Sequence, residues 1–157
     1  MKKIYLLLSL ITMILLPSIT FGNVIDKLNE AGRFNKLNET LSKSGLNENL
    51  KGAGPFTVFA PLDDAFAAIS AKTYYGLLRD ENKDKLVNIL GRHVFSKKIS
   101  SSEIDGEIKL KAINGEEITI KKVNGIVYIN EAEVVTADIE ASNGVIHFIN
   151  RVLQPLN

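Results

Sequence analysis

The feature that most constrains this chain is a change of hydrophobic period at Ser100-Ser101-Ser102. Upstream of it apolar residues recur three and four apart, and downstream they alternate. Val24, Ile25, Leu28 and Ala31, then Phe34, Leu37 and Leu41, predict two short amphipathic helices hinged near Gly32, the second ending at Gly45. Residues 50–55 read as loop, with Gly52 and Gly54 bracketing Ala53, and Phe56-Thr57-Val58-Phe59 reads as a short strand ended by Pro61. Leu62, Ala65, Phe66 and Ile69 return to helical spacing. Residues 74–78 and 84–93 continue it, with Leu86, Ile89, Leu90 and His93 along one stripe. Past the serines, Ile108 and Leu110, Ile118 and Ile120, Val127 and Ile129, Val134, and Val145-Ile146 with Phe148 mark strands. Asn114-Gly115 and Asn124-Gly125 fall between alternating segments. That dipeptide is favoured in two-residue hairpin turns, where both positions take positive φ. Helices followed by an antiparallel meander give an α+β domain.

The start of the chain reads differently. Met1, Lys2 and Lys3 precede an apolar run from Ile4 to Leu16, then Pro17 and a short polar stretch, the layout of a secretory signal peptide. The run is shorter than the roughly 20 residues that cross a bilayer core. Small residues at Thr20 and Gly22 place the cut after Gly22, with Ser18 as the alternative end, so the expected organisation is a leader over 1–22 and one domain over 23–157. No cysteine follows the apolar run, so a lipid-anchored leader is not expected, and neither is a disulfide framework. The mature product is expected to be secreted or periplasmic, without stable membrane insertion. Removing Lys2 and Lys3 from 19 basic residues leaves 17 against 18 acidic ones, a net charge of −1 with neutral histidines. That balance does not suit a nucleic-acid binder.

Three segments carry a family resemblance. The first is Gly54-Pro55-Phe56-Thr57-Val58-Phe59-Ala60-Pro61, continuing through Asp63, Asp64, Ala65 and Phe66; the second is Arg92-His93-Val94. The third runs Val134-Val135-Thr136-Ala137-Asp138-Ile139, then Ala141-Ser142-Asn143-Gly144-Val145-Ile146-His147-Phe148-Ile149, and closes with Val152-Leu153-Gln154-Pro155. In this order and at these separations the chain resembles the fasciclin-like domain, an extracellular module of bacterial exported proteins and animal matrix proteins. The resemblance implies a wedge of antiparallel strands packed by the helices of the N-terminal half. Two places depart from the family's pattern. Leu62 stands where a hydroxyl residue usually caps the following helix, a role that would pass to Asp63. Arg92 stands where a tyrosine commonly precedes the histidine. In matrix members an Asp-Ile pair of the third block and the Tyr-His region are associated with integrin recognition; the matching positions here are Asp138, Ile139 and His93, and the flanking Thr136-Ala137 and Glu140 do not reproduce the animal motifs.

His93, on an apolar stripe, reads as a core histidine paired with a backbone group or with Asp63 or Asp64; a ligand-contact or pH-sensing role is the functional alternative. His147 alternates with Ile146 and Phe148 and is expected on the surface. Asn143-Gly144 reads as backbone chemistry, Gly144 supplying a conformation other residues avoid and the Asn143 amide bonding local backbone. Two histidines 54 positions apart and no cysteine are poor material for a metal site. The chain has neither a Gly-x-Ser-x-Gly elbow nor a phosphate-binding loop. Lys109, Lys111 and Lys121 share an outward face that could meet an acidic polysaccharide, although Glu107, Glu116 and Glu117 lie close by.

The expected function is therefore noncovalent binding of a protein or surface polysaccharide, without catalysis or cofactor, with self-association as a further route. His93, Asp138 and Ile139 are the candidate contact residues, and Asp63, Asn143 and Gly144 the structural ones. A carrier or sensor of a small apolar ligand is the rival, and a hydrolase the third alternative.

Overall fold

The computed structural model describes residues 21–154. The expected leader lies outside that range apart from Phe21 and Gly22.

Three helices open the fold: α1 (Val24–Ala31), α2 (Asn35–Ser44) and α3 (Leu46–Leu50). Asn23 caps α1 through a reciprocal box with Asp26, and Gly32 ends it at φ 64°. Gly45 closes α2 at φ 80°, as expected, but the chain re-enters a helix at once. Leu46 and Leu50, both buried, give α3 its only apolar spacing, too short to show a period. After β1 (Phe56–Pro61) the stretch expected as a helix is a 3-10 helix, Asp63–Ala68. It is followed by α4 (Ala71–Leu77), α5 (Lys83–Gly91) and the two-residue strand β2 (Val94–Phe95).

The second half supplies β3 (Glu107–Lys111), β4 (Glu117–Val123), β5 (Ile126–Ile129), β6 (Ala132–Ala141) and β7 (Gly144–Ile149). They form one seven-stranded sheet in the order β2-β1-β7-β6-β5-β4-β3. All neighbours are antiparallel except β1 and β7, which run parallel. The architecture is the expected α+β one. The Asn124-Gly125 turn has φ 52° and 81°, the two-residue type anticipated. The other hairpin departs from expectation: only Gly115 has positive φ, and a bond from Ala112 N–H to the Glu116 carbonyl closes a three-residue loop. Asn114 spends its side chain on Asn88 of α5, and Ile113 N–H donates to the Val94 carbonyl, so this loop covers the edge at β2.

Two apolar clusters flank the sheet. Val58, Ala60 and Ile146 join α1, α2, α4 and α5 in one, while Phe59 and Ile149 join Phe95, Ile99, Ile104, Ile120 and Ile129 in the other. The central pair β1 and β7 is thus covered on both faces, as is usual for a parallel pair.

Candidate functional site

The candidate residues fall in three places. The first is a bulge in β6. Its register against β7 shifts between Thr136 and Ile139, and Asp138 there has φ 61°, rare for a residue with a side chain. The distortion turns the Asp138 carboxylate onto Ser101, accepting from its main-chain nitrogen at 2.8 Å and from its hydroxyl. The Asp138 N–H donates to Nδ1 of His147 at 3.1 Å, and Nε2–H of the same ring donates to the Ile99 carbonyl at 2.7 Å. Burial raises the Asp138 pKa, but the Ser101 bonds, with His147 and Lys122 nearby, outweigh it and hold the carboxyl below its ordinary value. Ile139, the other half of the pair, is half-buried and packs against the helix-side core.

His147 corrects the reading that put it on the surface. It is 1% exposed, because β7 is a central strand and its register partner is Phe59, on whose ring it stacks at 5.0 Å. Burial lowers its pKa. The near-continuous apolar run Gly144–Ile149 was the available signal for a strand wet on neither side.

The second place is the end of α5. His93 is 2% exposed and is the core histidine expected, paired with backbone and with no carboxylate. Nδ1–H donates to the Ile89 carbonyl at 2.9 Å and Nε2 accepts from Leu153 N–H at 2.9 Å, which fixes a neutral tautomer. Desolvation lowers its pKa to about 4. Arg92 beside it is also buried and forks onto Glu116 at 2.5 and 2.6 Å, which holds the Glu116 carboxyl below its ordinary value. His93 and Asp138 do not share a hydrogen bond or an ion pair.

The third place is the β6–β7 turn. The Asn143 amide accepts from Val24 N–H at 2.9 Å and donates to the carbonyls of Leu50 and Gly52 at 2.7 and 2.8 Å. These bonds are long-range, not local as expected. Gly144 is also needed for a different reason: its φ is ordinary, but a β-carbon there would overlap the Phe56 backbone. Asp63 does not cap the helix that follows it. Its carboxylate accepts from Lys36 N–H at 2.9 Å and from the Asn35 amide at 3.0 Å, supplying α2 with the cap that Phe34 cannot provide.

Two concave surfaces border these places. A shallow groove of about 400 Å³ between β5 and β6 is lined by Ser101, Lys122, Ile126, Val135 and Ala137, which brings it to the Asp138 clasp. Val123, Ile126 and Val135 are 46%, 40% and 47% exposed there and at the adjoining hairpin tip. A more enclosed apolar cleft of about 230 Å³ lies among the 3-10 helix, α4, α5 and the C-terminal segment, with His93 in its lining. The lysine face of β3 and β4 is electrically mixed, since Glu107 pairs across the ladder with Lys121 and Lys111 with Glu117. Among the described residues no group of three or more His, Asp or Glu side chains is placed to hold a metal ion, and no helix is long and apolar enough to cross a membrane.

The Fasciclin domain family matches residues 32–155. Among similar proteins, Protein sll1483 of Synechocystis sp. is 47% identical over 123 residues, covering 78% of this chain and 67% of the relative. Transforming growth factor-beta-induced protein ig-h3 of Sus scrofa is 38% identical over 134 residues, covering 85% of this chain but 19% of the relative. For human periostin the identity is 31% over 132 residues, with 83% and 16% covered. This chain therefore spans under a fifth of the ig-h3 and periostin chains. A FAS1 domain pair from the insect cell adhesion molecule fasciclin I superposes with a TM-score of 0.76 over 87% of this chain and 52% of the insect one; at 20% identity that likeness concerns the fold alone.

Proposed function

This chain belongs to the Fasciclin domain family, and from that premise we propose that it is an exported binding module making noncovalent contact with another protein or with a surface polysaccharide. The observation that carries this reading is the β5–β6 groove, where the exposed side chains of Ile126 and Val135 share the lining with Lys122, Glu133 and Ser101, the residue that holds the Asp138 carboxylate. Exposed branched side chains set among charged and hydrogen-bonding groups are the mixture found at non-obligate protein interfaces. Binding is favoured over turnover because both histidines commit both ring nitrogens to backbone, and the Ser101 hydroxyl bonds Asp138 and not an imidazole. The leader over 1–22 and one unit over 23–157 give a secreted or periplasmic product, and the same groove offers a route to self-association.

The test compares the full chain with Val135→Asp and Ile126→Asp in crosslinking from the native envelope. The expected result is one crosslinked partner lost in both variants while unfolding midpoints stay unchanged. Hydrolysis of an ester, peptide or glycan by the purified chain, abolished by His93→Gln, would overturn the reading.

The apolar cleft beside α5 favours a second reading, uptake of a small apolar ligand. Protein purified from its own source would then release an organic molecule on extraction.

A further inference from the structure

We propose that the cleft between α4 and α5 takes a small amphiphile with a medium-length apolar chain and an anionic head, the head paired with Lys85. The proposal deepens the second reading above and rests on it.

The lining is graded along α5. Lys85 and Ile89 lie one turn apart on α5, about 6 Å by helical rise, and His93 follows in the turn just past the helix end. At its inner end the His93 ring has nothing polar to offer, since both nitrogens are taken by Ile89 and Leu153, and the Gln154 side chain that also lines the cleft is exposed and uncharged. The other hydroxyls of the lining are also occupied: Thr40 bonds the Leu37 carbonyl, Thr73 bonds Ser70, and Tyr74 donates to Glu39 at 2.5 Å. Burial and the neighbouring Glu39 push the Tyr74 pKa up, so it stays a neutral donor. The walls between are Phe66, Leu86 and Leu90.

Lys85 stands apart from this. It lies in the exposed first half of α5, lines the cleft, and among the described residues forms no ion pair. A cleft with a mainly apolar interior and a free ammonium at its mouth selects for a molecule of matching polarity. The chain enters, and the head remains at the rim where water and Lys85 share its charge. The cleft, of about 230 Å³, is mainly apolar in its lining and open at the Lys85 end. An eight-carbon chain is a soluble probe of such a cleft.

The experiment is calorimetric titration of the full chain with octanoate, octanol and octyltrimethylammonium, each below its aggregation threshold. Octanoate is expected to bind at least tenfold more tightly than octanol, with the cation weakest. Lys85→Glu, a surface change that leaves the core intact, is expected to abolish the preference for octanoate and favour the cation. Equal binding of octanoate and octanol, unmoved by Lys85→Glu, would overturn the head-group assignment and leave the apolar-ligand reading standing. Binding of none of the three would overturn both. Concentration-dependent self-association that blocks uptake of all three would assign the cleft to a second copy of the chain and also overturn the proposal.

Discussion

The main-chain nitrogen of Asp138 and Nδ1 of His147 lie 3.1 Å apart, and that bond joins a surface bulge to the buried centre of the sheet. Replacing His147 with Phe keeps the stack on Phe59 but leaves the Asp138 N–H and the Ile99 carbonyl without partners. At about 1–3 kcal/mol for each of the two stranded groups, the expected loss is about 2–6 kcal/mol. Ser101→Ala, which removes the hydroxyl bond and keeps the main-chain one, is expected to cost about 1 kcal/mol. Urea unfolding measures both, and equal midpoints for His147→Phe and the parent chain would show that the clasp bears no load.

Acid is expected to destabilise the fold before its carboxylates titrate fully. His93 is held at about 4 by burial, and His147 is also held below its ordinary value. An unfolded histidine titrates near 6.5, so between pH 6.5 and 4 the unfolded state binds more protons than the native one. Stability is therefore complete above pH 6.5 and lost as pH falls through that window, by about 3 kcal/mol from His93 alone once pH is below 4. Asp138 and Glu116, both held low, add losses of the same sign further down. Urea midpoints at pH 7.5 and 4.5 measure the slope, and His93→Gln is expected to flatten it.

Asn143 and Gly144 are expected to be the most sensitive neighbouring pair. Asn143→Ala strands the Val24 N–H and two carbonyls, for a loss of about 3 kcal/mol or more. Gly144→Ala forces β1 and β7 apart at Phe56, and soluble expression is expected to fail. Gly125→Ala makes the control: it meets open space and carries only the strain of φ 81°, about 1 kcal/mol.

Asp63→Ala is expected to cost about 1 kcal/mol by uncapping α2, read as a lower melting temperature. Asp63→Asn retains an acceptor and is expected to recover most of it. A variant that left α2 unaffected, shown by unchanged amide exchange at Lys36, would contradict the capping role.

The elements that were legible in the sequence are those with a period of their own. The stripes of α1, α2 and α5 and the alternation of β4 and β5 all came through, because each buries one face. What escaped depends on partners far along the chain. His147 is buried because β1 lies beside β7, a parallel pairing that no turn residue announces. Asp63 caps a helix that precedes it by 27 residues, and the three side-chain bonds of Asn143 reach across 91 to 119 positions. The Asp138 bulge is likewise invisible to alternation, since Ala137 and Asp138 only become an irregularity once β7 is alongside. The cleft and the groove follow from how elements meet, and no local spacing encodes them.

The bond from Val24 to Asn143 and the pairing of β1 with β7 also set an order of events. A chain threaded through a narrow channel with its N-terminus leading delivers α1 and β1 first, while their partners are still on the far side. Neither can settle until the last hairpin arrives, because the contacts that hold them have the greatest separation along the chain and close slowly. The last hairpin therefore holds both ends of the domain: removing it leaves α1 and β1 without their principal partners.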